Sequence, residues 1–210
     1  MKFDQLLNIV RDEPVFETGL LLAGDVNPAD VRRQLSRWVV SGRLLQLRRG
    51  LYALAPPYQK TVPHPFLIAN RVVRGSYVSL QSALAYHGLI PEGVPTVTSI
   101  TPSRPIVYET PLGRYEYHHL KSSLRQGYRL TRVSAGQEAF LAVAEKALLD
   151  LIHLTPDGDA PMYLQELRLQ NLDCLQPEIL LGYAVSPKSR RAVKTLLRLR
   201  AEESGVFVDL

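Results

Sequence analysis

In MKFDQLLNIVRD the apolar residues Phe3, Leu6, Leu7 and Val10 fall three and four apart, which predicts a short amphipathic helix closed by Pro14. VFETGLLLAG follows with a nearly unbroken apolar run. It suits a second short helix closed by Gly24, and also suits a strand. The third element is the most sharply bounded. Asn27 is a capping residue, Pro28 fits the first helical position, Asp30 falls near the positive end of the dipole, and Gly42 stops the run. Within it Val31, Leu35, Trp38 and Val39 form one apolar stripe, leaving Arg32, Arg33, Ser36 and Arg37 on the other face. Trp38 lies in the stripe and is read as core, not as a base-stacking residue. RLLQL and LYAL then flank RRG as the strands of a hairpin whose turn is eased by Gly50.

Helix, helix, helix, hairpin is the layout of a winged helix-turn-helix, in which the third helix enters the major groove and the hairpin lies against the backbone. The charge distribution sharpens this reading. Residues 1–26 carry Lys2 and Arg11 against five acids, whereas residues 27–60 carry six arginines and Lys60 against Asp30 alone, a net +6. The arginines sit on the two surfaces this fold offers to DNA. Arg32, Arg33, Ser36 and Arg37 are therefore expected to meet bases or phosphates, and Arg48 and Arg49 to clamp phosphate at the hairpin tip.

APPYQKTVPHP places four prolines in eleven residues and reads as a linker. It separates a first domain at 1–58 from a second at 63–210. In the second, PFLIANRVV looks helical, and GSYVSLQSALAYHGLIP offers a brief strand running into a helix. Ser79 is expected to cap that helix, with Ala83, Leu84 and His87 inside it and Gly88 as its stop. TVTSIT alternates as a strand, and IVYETPLGRYEYHHL reads as a hairpin turning at Pro111–Gly113. YRLTRV is another strand, and EAFLAVAEKALLDLIHL begins extended and ends as a helix burying Val143, Ala147, Leu148, Leu151 and Ile152. The tail is helical in three pieces, APMYLQELRLQ, PEILLGYAV and PKSRRAVKTLLRLRAEES. The last sets Val193, Leu196 and Leu197 against a basic side of Arg190, Arg191, Lys194 and Arg198, a secondary basic surface suited to DNA, an acidic partner or water. The expected class is α+β: a winged helix-turn-helix, then a mixed α/β domain with a small antiparallel or mixed sheet and a helical C-terminus.

Composition narrows the function. At 210 residues with 46% apolar content the chain can bury a substantial core, and its overall charge of +5 permits nucleic acid without demanding it. The single cysteine, Cys174, rules out an internal disulfide and fits a reducing cytoplasm. The N-terminus is too polar for a signal-peptide core, and no apolar run reaches membrane-spanning length. Catalytic patterns are lacking. No D/E-x-K tripeptide occurs for metal-assisted cleavage, and neither a G-x-G-x-x-G nor a phosphate loop is present. His118 and His119 are adjacent and face opposite sides of a strand, so they cannot share one metal. His64, His87 and His153 are scattered, and Cys174 has no base beside it. Glu145, Lys146 and Asp150 invite a catalytic story, but Lys146 and Asp150 at i and i+4 read as a helix-surface pair, with Glu145 serving the dipole. No cofactor or metal is expected.

RRGLYAL, YVSLQSALAYHGLIP, TVTSIT, TPLGRYEYHHLK and VAEKALLDLI together resemble the AbiEi antitoxins of bacterial type IV toxin-antitoxin systems. The resemblance covers roughly residues 5–155 and is most specific in SLQSALAYHGL and AEKALLD. It implies a non-catalytic protein that represses its own operon by binding inverted repeats and whose second domain counteracts a toxin of nucleotidyltransferase fold. The alternative is a stand-alone winged-helix regulator whose second domain serves another partner or ligand.

Overall fold

The computed structural model describes residues 1–23, 26–91 and 93–203; Gly24, the expected stop of the second element, lies outside them. The architecture is α+β, with two sheets of three and six strands.

The first helix, α1 (Phe3–Val10), buries Leu6 and Val10 and ends at Arg11, which turns to φ +52°, short of Pro14. VFETGLLLAG divides: Phe16–Glu17 forms a short strand, β1, and Thr18–Leu22 a 3-10 turn. The helix-or-strand ambiguity arose because both are present. Helix α2 (Pro28–Val40) starts as its sequence requires, with the Asn27 side chain accepting from the Ala29 amide at 2.9 Å, and Gly42 takes φ +69° just beyond its end. Val31, Leu35 and Trp38 are buried. β2 (Leu44–Arg48) and β3 (Leu51–Leu54) form the hairpin, with Gly50 at φ +84° in its turn. β3 lies in the middle of the antiparallel order β1-β3-β2.

Both faces of this small sheet are covered. Leu44, Tyr52 and Leu54 point to α1 and α2, where they pack with Phe16, Leu35 and Trp38. Leu47, Leu51 and Ala53 point the other way and join the core of the second domain. Every position of β3 is consequently buried. The proline-rich segment is tied down at both ends. Tyr58 meets Phe3 edge-on at 4.9 Å, and the Gln137 side chain bonds both Val62 O and His64 N.

In the second domain α3 (Pro65–Val72), β4 (Tyr77–Val78), α4 (Leu80–Tyr86), β5 (Thr96–Thr101), β6 (Ile106–Thr110) and β7 (Gly113–His119) precede the hairpin β8 (Tyr128–Ser134) and β9 (Gln137–Ala142). The six strands run in the order β6-β7-β5-β4-β9-β8, mixed in direction and larger than a small sheet. Helix α5 (Ala144–Leu154) is followed by α6 (Pro161–Glu166), α7 (Pro177–Tyr183) and α8 (Pro187–Glu203). Two expectations at α4 need correction. Ser79 occupies the cap position but makes no side-chain cap bond: its hydroxyl is turned to Asp150 and the Ser82 amide is taken by Thr98 Oγ1 at 3.1 Å, and His87 is the helix's terminal cap residue, bonded to Ala142 O at 2.8 Å.

The two domains also meet through polar contacts. Arg74 pairs with Glu17, and Arg48 donates to the Arg71 carbonyl at 3.4 Å. The Arg74 hydrogen bond, with the nearby Arg48 and Arg71 charges, holds the Glu17 carboxyl below its ordinary 4.5 against the opposing pull of burial. A carboxyl lowered by folding stabilises the folded state above its unfolded pKa and loses that contribution as acid protonates it. The stability gap between the native chain and Glu17→Gln should therefore be full above about pH 4.5 and close as the pH falls below it, as followed by urea denaturation across pH 3–7.

Candidate nucleic-acid interface

Helix α2 turns its polar face outward because the apolar stripe holds the opposite side against α1 and the small sheet. Arg32, Arg33, Ser36 and Arg37 are all exposed. Arg33 pairs with Asp30 at 3.3 Å one turn earlier, and the Ser36 hydroxyl donates back to Arg32 O at 3.0 Å. Beside this face runs an open groove of about 590 Å³ between α2 and the hairpin. Arg32 and Ser36 line it from the helix, and Gln46, Arg49 and Tyr52 from the strands and turn. Thr18 and Leu22 form its end, and a Cβ on Gly50 would lie 3.7 Å from the Thr18 hydroxyl. The groove thus joins helix and hairpin residues some fifteen positions apart into one polar, basic channel.

The paired arginines of the hairpin part company. Arg49 is exposed at the turn. Arg48 is half-buried and folds back, donating to Arg49 O at 3.0 Å and to Arg71 O of the second domain. It adds positive potential to Glu17 and to Tyr117 as well. A tip position in the sequence is therefore a seam position in the fold. Arg43, exposed, lies with its guanidinium 5.0 Å from the ring centre of Phe3. Gln46 was missed in the sequence. Its signal was the strand alternation, which sets it opposite Leu45 and Leu47 and leaves it exposed.

The secondary basic surface on α8 is largely spent on its own domain. Arg190 donates to Ala184 O at 3.2 Å and Arg191 pairs with Asp159 at 2.7 Å. Arg198 also has an interaction, and Lys194 is exposed.

AEKALLD departs most from expectation. Lys146 and Asp150 are no surface pair: they are 5% and 1% exposed and in direct contact. α4, α7 and α8 close over the side of α5 that carries them, so the i, i+4 spacing is right and the setting wrong. The second Asp150 oxygen accepts from Ser79 at 2.8 Å and Tyr77 at 3.1 Å. Burial raises the carboxyl's pKa, opposed by Lys146, Ser79 and Tyr77. Glu145, also buried, accepts the Gln176 amide at 2.8 Å and so anchors the start of α7.

Comparison with protein-family models and with curated proteins found no match. The remaining candidates have local roles. His64 Nδ1 accepts from the Phe66 amide at 3.1 Å, His118 faces Glu116 at 3.3 Å, and His119 contacts Ser103 O at 3.0 Å. The Cys174 thiol is raised in pKa by burial and the nearby Asp173 and Glu145 charges, the reverse of nucleophilic activation. Among the described residues no three His, Cys, Asp or Glu side chains are placed to hold a metal, and no helix is long and apolar enough to cross a membrane.

Asp150→Ala strands the Lys146 ammonium in the core and should cost about 3–5 kcal/mol. Asp30→Ala, which removes the exposed partner of Arg33, should cost under about 1 kcal/mol. Urea unfolding of the two variants side by side measures the contrast.

Proposed function

We infer that residues 1–58 are a winged helix-turn-helix that binds double-stranded DNA, and that the chain is a transcriptional autorepressor acting on inverted repeats in its own promoter. The observation that carries this is the groove in which Arg32 and Ser36 of α2 meet Gln46 and Arg49 of the hairpin. In such a module α2 enters the major groove, where Arg32, Arg33 and Arg37 reach guanine edges or phosphates and Ser36 donates to either. Arg49 is the phosphate contact of the wing, and Arg48 fixes the wing to the second domain.

The same chain is proposed to act as a type IV antitoxin of the AbiEi kind, opposing a toxin of nucleotidyltransferase fold and working without catalysis. The support is the resemblance of SLQSALAYHGL and AEKALLD to that family. In the fold the first block supplies Ser79 and α4, the second α5, and the Ser79–Asp150 bond ties them together.

Gel retardation of the promoter fragment over a salt series tests the DNA half. The native chain should bind with a steep salt dependence, and Arg49→Ala should flatten the log–log slope by about 0.9, the loss of one phosphate contact. Arg48→Ala should leave the slope nearly unchanged and lower stability instead. Failure to retard the fragment at low salt would remove the repressor reading.

Co-expression with the product of the neighbouring gene tests the other half. Growth should resume when the chain is present. Continued arrest despite abundant chain would leave the stand-alone regulator, with a second domain directed at another partner or ligand.

A further inference from the structure

The second domain holds a cavity that DNA binding does not use. It opens between residues 120–126, α5, the end of α7 and the start of α8, and has a volume of about 80 Å³, the scale of a single inorganic anion and not of a drug-sized molecule. Lys146, Asp150 and His153 reach it from one face of α5, spaced four and three residues apart. Ser123 and Gln126 line it from the segment before β8, and Ser186 lines it at the head of α8.

The hydrogen bonding of the buried pair gives the sign of the ligand. Both Asp150 oxygens are engaged, one by Lys146 and the other by Tyr77 and Ser79. The Lys146 ammonium has three N–H donors and gives one of them to Asp150. Both carboxylate oxygens are therefore already engaged while the ammonium keeps donors for the cavity, and what complements them is an oxygen-bearing anion. Two further features act in the same direction. α8 is a long helix whose first turn forms the cavity wall, so the positive end of its dipole lies there, with the Ser186 and Ser189 amides satisfied by one another's hydroxyls at 3.0 Å. Burial first, and then the charges of Lys188, Lys146 and Lys121, keep the His153 imidazole at the rim below its ordinary pKa.

We propose that this cavity binds a phosphate-sized oxyanion, its oxygens received by Lys146, Ser123 and Gln126 at the positive end of the α8 dipole. The donors and the dipole come from three separate elements. That arrangement surrounds a tetrahedral group, whereas a flat carboxylate is served by a single planar fork. The site stands whether or not the chain opposes a toxin.

Calorimetric titration of the full-length protein with inorganic phosphate and with pyrophosphate, in sodium chloride of matched ionic strength, tests this. Saturable one-site binding of either is expected, with acetate at the same concentrations giving none. Lys146→Met should weaken binding about tenfold or more. Because that change leaves Asp150 buried without its partner, the exposed double variant Ser123→Ala/Gln126→Ala provides an arm that keeps the fold and should weaken binding about fivefold. Asp150→Asn, which removes the competing charge beside Lys146, should tighten it. No saturable binding by the native chain, acetate binding equal to phosphate, or unchanged affinity in the Ser123→Ala/Gln126→Ala protein would overturn the proposal.

Discussion

β3 (Leu51–Leu54) is buried on both of its faces, and the rest of the molecule is arranged around that constraint. A strand sends alternate side chains to opposite sides, so an apolar run with no polar alternation needs two covers. One cover is α1 with α2. The other is the second domain, reached through Leu47, Leu51 and Ala53. With the small sheet held from behind, α2 can turn its stripe in only one direction, and its arginine face is thereby directed to solvent beside the hairpin turn. The same constraint decides the fate of the two hairpin arginines. Arg48, the last residue of β2, is carried to the seam, while Arg49, in the turn, is carried past it.

The parts of this arrangement legible in the sequence are those set by local chemistry. Asn27, Pro28 and Gly42 bound α2 because each acts on the backbone within a residue or two of itself. The Val31–Trp38 stripe and the alternation of TVTSIT carry their periods in any setting. What local reading misses is set at a distance. LYAL reads as one apolar strand of a hairpin, and nothing near it announces a second cover. AEKALLD reads as half-solvated because its cover comes from elements distant in sequence, α4 before it and α7 and α8 after it. Ser79 reads as a cap, which it would be had its hydroxyl no carboxylate 71 positions away.

The buried Lys146–Asp150 pair is better understood as a joint than as a source of stability. Taking two charges out of water costs several kcal/mol per ion, and their attraction offsets this only with good geometry and further hydrogen bonds. Those further bonds come from Tyr77 and Ser79, at the strand and turn between α3 and α4. The network therefore links α5 to a central strand of the six-stranded sheet, and Tyr77 stacks on Tyr128 of the edge hairpin at 4.3 Å. An apolar group in place of the pair could fill the volume, but it could not specify which residues of β4 and α5 meet.

A chain with an overall charge of only +5 can still present a strong local field if its acids are engaged away from the basic face. In the first domain Asp12 pairs with Lys60 and Glu17 with Arg74, both outside the α2–hairpin groove. Asp30 lies on the helix itself but is taken up by Arg33. Arg32 and Arg49 then face one another across a channel whose other lining groups are neutral: Ser36, Gln46, Thr18 and Tyr52. Field lines from two cations in a concave, low-dielectric wall concentrate in the channel, so placement does here what net charge does not. The seam ion pair contributes to this as well as to docking. By holding Glu17 against Arg74, it keeps a carboxylate that adjoins Thr18 directed toward the second domain and away from the groove.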